Sequence, residues 1–292
     1  MTKSNGIKKI RKAVIAVAGS GTRLLPATKT MPKEMLPIVD KPAIQLVVEE
    51  LVAAGIQDII LVTKWDKKTL EDHFDHSLAL ENELAKAGKK EKLREIKKIS
   101  ELANFIYIRQ KGPYGNGTPV LSAASLVEDE PFMYVWGDDL VKSKVSFSKQ
   151  MVDDYNISGR LMIGVQEVAR DQVDRYGIVS LRDKKTMQID DIVEKPSIKN
   201  APSQLADFGR MILNQDIIDI LKKTRLGKGG ELWIVDAIRD YIRSGGKFYA
   251  KKIQDGQWLT TGDPLNLLKT NLEYAWDRED LRAFLKDYLK NK

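Results

Sequence analysis

The feature that most restricts the fold of this chain is the regular exchange, through its first half, of short β-branched apolar runs for segments with helical spacing. Residues 13–18, 58–63, 105–109 and 132–136 read as strands, because each run is short and rich in β-branched or aromatic side chains. Between the first two, Ile44, Val47, Val48, Leu51 and Val52 recur at helical spacing, with Pro42 near the start and Gly55 just past the end, the positions where proline and glycine punctuate helices. Further helices are predicted over 67–74, 78–102 and 118–127. Such alternation builds βαβ units and a mostly parallel sheet.

The pattern changes after Asp139. Strands are predicted at 161–168, 178–181, 189–194 and 208–213, helices over 215–223 and 231–244, a strand at 247–253, and a last amphipathic helix from about Pro264 onward. The connectors, such as RDKKT, are turn-rich. The expected architecture is α/β, a Rossmann-like, doubly wound, mostly parallel mixed sheet with a smaller antiparallel lobe growing from the carboxyl ends of its strands. With 292 residues, 42% hydrophobic and 30% charged, the chain can bury one large core. No linker or repeat divides it, so 1–292 reads as a single domain, with a core at about 8–140, a lobe at about 141–262 and a terminal helix at about 263–292.

Composition removes several chemistries. The chain has no cysteine, which excludes disulfides, thiolate zinc sites, iron–sulfur ligation and cysteine nucleophiles. Its net charge of +7 is dispersed. The densest basic stretch, KAGKKEKLREIKK at 86–98, is interleaved with Glu91, Glu95, Leu93 and Ile96, the pattern of a solvated amphipathic helix, so no nucleic-acid partner is expected. No apolar run approaches twenty residues, and MTKSNGIKKIRK leads into AVIAVA rather than a signal core. A cytoplasmic protein without a membrane partner is the expectation. His73 and His76 read as an exposed helix end with no third ligand nearby, and Trp65, Trp233, Trp258 and Trp276 as packing residues unless a family resemblance implicates one.

In an open α/β sheet, ligands bind outside the carboxyl ends of the strands, which singles out Ala18-Gly19-Ser20-Gly21-Thr22-Arg23. Gly19 and Gly21 let backbone amides approach an anion or a base edge. The loop is neither a GxGxxG fingerprint nor a Walker A loop, and alone it would read as a plain turn. The next twenty residues add Arg23, Lys29, Lys33 and the prolines 26, 32, 37 and 42, a long stiff loop of the kind that compact domains keep for function. Arg23 offers a planar fork for phosphate oxygens and Lys33 a point charge. Trp136-Gly137-Asp138-Asp139 ends a strand, where a carboxylate suits a divalent cation bound mainly by phosphates and water, or else forms a turn or cap. Glu194 and Lys195 could take sugar hydroxyls and a phosphate, provided the strand ends there, since adjacent strand residues face opposite ways.

The blocks GSGTRLLPATKTMPKEMLPIVDKPAIQ, AGIQDIILVT, EDHFDHS, IRQKGPYGNG, GDDLV, YGIV, VEKP, APSQLADFGRMIL and GGELWIVDAI follow one another from about Ile10 to the C-terminal helix. In that order the chain resembles the bacterial UTP–glucose-1-phosphate uridylyltransferases, or UDP-glucose pyrophosphorylases, of the sugar nucleotidyltransferase superfamily. The resemblance implies a nucleotide-binding core and a sugar-phosphate-binding lobe. Ala18 and Gly19 would hold the uracil, Gln110 read its edge, Gly115 and Gly117 make room and Glu34 position the base, with Gly21 in the same nucleotide loop. Arg23 and Lys33 would bind the triphosphate, Asp138 Mg2+, Gly177 and Glu194 the glucose hydroxyls, and Lys195 the sugar phosphate; Arg23, Lys33 and Lys195 are the implied catalytic cations. The implied partners are UTP, glucose 1-phosphate, UDP-glucose and pyrophosphate, in a homo-oligomer, dimer or tetramer. Where this family carries a second metal aspartate the chain has Thr260, and Thr118, Pro119, Trp233 and Val235 also depart from its pattern. These departures leave open another sugar 1-phosphate, dTTP, or a weakly catalytic UDP-sugar-binding paralogue.

Overall fold

The computed structural model describes residues 6–291. Strand β1 (Lys12–Ala16) leads into a loop of three short helical turns, then the hairpin β2 (Pro37–Ile38) and β3 (Lys41–Pro42), helix α1 (Ala43–Ala53) and β4 (Asp58–Thr63). Helices α2 (Lys68–Phe74), α3 (Leu78–Lys86) and α4 (Lys90–Ser100) precede β5 (Asn104–Arg109), and α5 (Thr118–Val127) precedes β6 (Phe132–Trp136). The second half runs β7 (Asp139–Ser143), α6 (Phe147–Ser158), β8 (Met162–Glu167), β9 (Gly177–Asp183), β10 (Gln188–Glu194) and β11 (Leu205–Leu213). It closes with α7 (Gln215–Leu221), α8 (Ile234–Arg243), β12 (Tyr249–Lys252), β13 (Gly256–Thr260), α9 (Pro264–Asp277) and α10 (Glu279–Lys290).

Nine of these strands form one mixed sheet in the order β5-β4-β1-β6-β11-β8-β12-β10-β9, the α/β architecture expected. From β5 to β6 every pairing is parallel. Beyond β6 antiparallel pairings prevail, through β11 against β6 and β8 and through β10 against β9 and β12. The antiparallel half thus continues the parallel sheet, and a separate ribbon of β7 and β13 lies beside it. Ala13, Val14 and Ile15 are fully buried, because helices cover both faces of the parallel half, which is why its strands read as continuous apolar runs.

Chain order reverses about β1: the path moves outward through β4 and β5, then returns to the other flank of β1 as β6. The carboxyl ends of β1 and β6 lie side by side, Ala16 against Trp136, and such a switch point opens a crevice. Gly55, at φ 89°, closes α1 as expected, with its N–H donating to Val52 and that of Ile56 to Leu51.

Several boundaries differ from the sequence reading. The first strand stops at Ala16, short of the loop it feeds. The helix expected over 78–102 breaks at Gly88, φ 68°, into α3 and α4, and the terminal helix breaks at the extended Arg278. The C-terminal region 263–292 therefore carries two helices. Helix α6 and the β7–β13 ribbon were not expected; Ser146 Oγ caps α6 by accepting from Lys149 N at 3.2 Å, and Gly159 ends it at φ 66°. Trp65 is 84% exposed, so it is a surface residue and not a packing one. Among the described residues no helix is long and apolar enough to cross a membrane.

Gly209 in β11 has φ 74°, and an added Cβ would run into the Trp136 indole. Gly209→Ala should therefore cost about 2 kcal/mol or more, from combined backbone strain and overpacking. Urea denaturation checks this; an unchanged midpoint would contradict it.

Candidate active site

The carboxyl ends of β1 and β6 open into a cleft of about 440 Å³. Of the site residues expected from sequence, all but Gly21 and Gly117 line it. Gly21 instead folds the loop, at φ 64°, with its carbonyl accepting from Thr28 Oγ1 at 2.8 Å and from Leu24 N at 3.0 Å. Gly117 packs against the segment before α8, its N–H donating to Leu232 O at 2.8 Å. Gly19 stands beside Lys33, whose Cε would be 3.6 Å from an added Cβ.

At the centre, Lys33 Nζ lies 2.5 Å from Asp138 Oδ2. Burial works against the Lys33 ammonium, but Asp138, Glu34 and Asp139 more than reverse that and hold its pKa above the usual value. Burial likewise opposes ionisation of Asp138, and Lys33, Arg23 and Lys67 overcome it, so this carboxyl is held below its ordinary range. Both partners are therefore charged at neutral pH.

Beneath them a second pair pins the loop. Glu34 is fully buried, and Lys67 Nζ, at the entry to α2, reaches its oxygens at 2.8 and 3.0 Å. Burial pushes Glu34 up and Lys67 down, each opposed by the charge of the other.

The β7–β13 ribbon supplies the far wall. Thr261 donates to Asp138 O from both its N–H and its hydroxyl, each at 2.9 Å, which fixes the backbone that carries Asp138. The register sets Thr260 opposite Asp139, whose carboxylate accepts from Trp258 Nε1 at 2.7 Å. Burial and the neighbouring Asp138 charge raise Asp139 to about 7, against the hydrogen bonds of Trp258 and Thr260. Trp258 is thus a cleft residue rather than a packing residue alone.

At the opposite end Glu194 pairs with Gly177 across β10 and β9. The strand ends at Glu194, and Lys195 takes φ 43°. That turn is why two adjacent side chains both enter the cleft. Lys195 Nζ lies 3.5 Å from Glu194 Oε1 and 4.4 Å over the centre of the Trp233 ring. Burial raises Glu194, and Lys195 opposes the rise. Near Gln110, Gly115 has φ 130°, and any side chain there would run into the Leu232 backbone.

Sequence reasoning gave no site role to Arg175 or Asn116, and it named Asp263 only as an alternative to the metal carboxylate absent at Thr260. Arg175, directly before the YGIV block, pairs with Asp263 at 2.8 Å. Asp263 also caps α9, accepting from Asn266 N at 3.0 Å; the Asp-Pro step before an amphipathic run was the available signal. Asn116 Oδ1 accepts from Ile234 N at 2.9 Å, and α8 begins there rather than at Glu231. Among the described residues no three His, Asp or Glu side chains gather to hold a metal. His73 and His76 go separately to Gln45 and Glu81, each at 3.0 Å.

Four cations, Arg23, Lys33, Arg175 and Lys195, line this cleft together with the ionised Asp138 and with Glu34, Asp139, Glu194, Glu231 and Asp263, without histidine or cysteine. Such a set binds anions and stabilises developing charge. The family model of the nucleotidyl transferases matches residues 12–276. The chain is 43% identical to the UTP–glucose-1-phosphate uridylyltransferase YngB of Bacillus subtilis, over 97% of this chain and 96% of that protein. A solved UDP-glucose pyrophosphorylase complexed with UDP-glucose superposes with a TM-score of 0.83 at 37% identity, covering 92% of this chain and 100% of that one. A UTP-bound UGPase of Acinetobacter baumannii gives 0.86 at 37% identity, covering 96% and 98%.

The Glu34–Lys67 pair makes a stability prediction. Lys67→Met alone strands a buried carboxylate and should cost about 3 kcal/mol or more, whereas Glu34→Gln combined with Lys67→Met should recover much of it. Denaturation of the single and double variants tests this, and additive losses would refute the coupling.

Proposed function

The chain belongs to the nucleotidyl transferase family, and we propose that within it the protein joins UTP and glucose 1-phosphate into UDP-glucose, releasing pyrophosphate. The observation that carries this reading is the Lys33–Asp138 pair, set between the Gly19 loop on one side and Glu194 and Lys195 on the other, all lining one cleft. The relatives' uridylyltransferase activity and bound UTP and UDP-glucose support the same substrates. The reading assigns the nucleotide to residues of about 8–140 and the sugar phosphate to those of about 141–262.

In this mechanism a glucose 1-phosphate oxygen attacks the α-phosphorus of UTP in line, and the bond to the β-phosphate oxygen breaks. The attacking phosphate is already ionised at neutral pH, so alignment and charge stabilisation suffice and no general base is required. Arg23 and Lys33 hold the triphosphate, Lys195 holds the sugar phosphate, and Glu194 beside Gly177 accepts sugar hydroxyls. Gln110 and the backbone at Ala18 and Gly19 receive the uracil, with Gly115 leaving room and Glu34 bracing the loop through Lys67.

A magnesium ion fits one part of this site. Such an ion takes one or two carboxylates and fills its remaining positions with phosphate oxygens and water. Asp138 is a carboxylate held ionised in the cleft and would hold it, while Thr260 is a neutral hydroxyl. When bound, the ion would neutralise phosphate charge. Trp233, under Lys195 at the sugar end, favours a different hexose 1-phosphate as the second reading.

Pyrophosphate release measured with magnesium across pairs of nucleotides and sugar 1-phosphates should be greatest for UTP with glucose 1-phosphate. No release with any pair, alongside tight UDP-glucose binding, would refute turnover. Lys33→Ala should lower kcat about a hundredfold or more while changing UTP affinity far less. Equal losses in kcat and affinity would reduce Lys33 to a binding residue.

A further inference from the structure

Behind the sugar end of the cleft lies a second carboxylate that the reaction above does not use. Strand β9 runs between β10 and the start of β11. Glu194 is level with Gly177 on one side. On the other, Leu205 faces Val179 and Ala206 faces Ile178, so the next step along β11 brings Asp207 level with Gly177. Residues level across neighbouring strands share a face of the sheet, and the one between these two carboxylates is a glycine. A Cβ on Gly177 would lie 3.3 Å from Glu194 Oε2 and 3.7 Å from Asp207 Cβ. Both side chains therefore border the space left by the missing one, together with Val235, whose Cγ1 would lie 3.3 Å from that Cβ.

Their hydrogen bonding is incomplete in a matching way. Asp207 is fully buried, and its Oδ1 accepts from Gly209 N at 2.7 Å. Its Oδ2 and Glu194 Oε2 are both buried and without a hydrogen-bond partner. A buried acceptor needs a donor, and neighbouring carboxylates obtain one by retaining a proton. The titratable groups that interact with Asp207 are Glu194 on β10, Asp139 on β7 and Tyr134 on β6, and Arg210 follows three residues later on its own strand. Lys195, Asp236 and Glu231 act on Glu194. Arg210 donates through its two terminal nitrogens to the Trp136, Gly209 and Asp139 carbonyls and to Glu50, while its Nε is buried without a hydrogen-bond partner. Burial first, then Glu194 and Asp139, raise Asp207 well above its ordinary range, against the Gly209 N–H. Lys195 restrains the smaller rise at Glu194.

We propose that Asp207 is a positioning residue for sugar recognition, an acid that holds its proton toward Glu194 and so orients the carboxylate that receives the sugar hydroxyls. The inference rests on the sugar role given to Glu194 above. It makes discrimination at the sugar end depend on a side chain that the sugar does not touch.

Asn at this position keeps an N–H donor and an acceptor for Gly209, whereas Val keeps neither. Asp207→Val should raise KM for glucose 1-phosphate about tenfold and leave KM for UTP unchanged, and Asp207→Asn should restore most of the loss. An unchanged glucose 1-phosphate KM in the Val variant, or equal changes for both substrates, would overturn the proposal. A second measurement needs no substrate. A carboxyl whose pKa is raised by folding stabilises the protein most at low pH and loses that contribution as pH climbs from the unfolded toward the folded value. Between pH 5 and pH 8 the Tm of Asp207→Asn should gain several degrees on that of the intact protein. A difference that does not vary with pH overturns the retained proton, even where the Val variant folds poorly. If the intact enzyme releases no pyrophosphate from UTP and glucose 1-phosphate, the functional reading fails, and the melting comparison still decides the state of Asp207.

Discussion

The contact between Lys33 and Asp138 joins residues 105 positions apart at 2.5 Å, and the organisation of the cleft depends on it. The lysine arrives on the loop after β1 and the carboxylate on the turn after β6. These ends meet because the sheet reverses its winding between the two strands. An ion pair at that place puts a cation and an anion, both charged at neutral pH, between the proposed nucleotide and sugar ends. Each is stabilised by the other against a burial that would neutralise either alone.

Keeping the pair in place takes further buried charge. Arg210 is fully buried, and its guanidinium donates to Trp136 O at 3.3 Å and to Asp139 O at 2.6 Å, bracketing the turn that carries Asp138. Glu50 balances that charge at 3.1 Å and in turn accepts from the N–H and hydroxyl of Ser148, tying α1 and α6 to the floor of the site. On the other side Glu34 and Lys67 do the same for the loop. Isolated buried charges are costly, and here each has an opposite charge within hydrogen-bonding distance. The result is a floor braced by paired charges beneath the cleft, as positioning of a substrate requires.

The parallel half of the sheet was readable because β1, β4 and β6 are largely buried on both faces and Gly55 supplies the stop signal of α1. Helix α6 went unread although Ser146 and Gly159 mark its ends and Phe147, Met151, Val152 and Tyr155 recur at helical spacing. The β7–β13 ribbon was unreadable for a different reason. Its pairing brings Asp139 opposite Thr260, a contact of high sequence separation with no local signature. The same ribbon explains why Thr260 lies against Asp139. It also explains the tie from Thr261 to the carbonyl of Asp138, which motif reasoning could not supply. Glu194 and Lys195 are the reverse case. Alternation in a strand argues against two neighbours sharing a cleft, and only the positive φ of Lys195 shows that the strand has already ended.

Local pattern and residue chemistry by themselves determined the α/β class, and they pointed to the loop after β1 and to several of the cations and carboxylates that line the cleft. Periodicity, glycine and proline placement and side-chain charge are all encoded within a few residues of one another. The tertiary structure alone decided which of those groups touch, which are buried, and therefore which are charged. It set Gly21 and Gly117 back from the cleft, brought Arg175 and Asp263 into it, and placed Asp207 beside Glu194 across the gap at Gly177. Ionisation and hydrogen bonding depend on burial and on neighbours from distant strands, and those are properties of the sheet order, not of any segment.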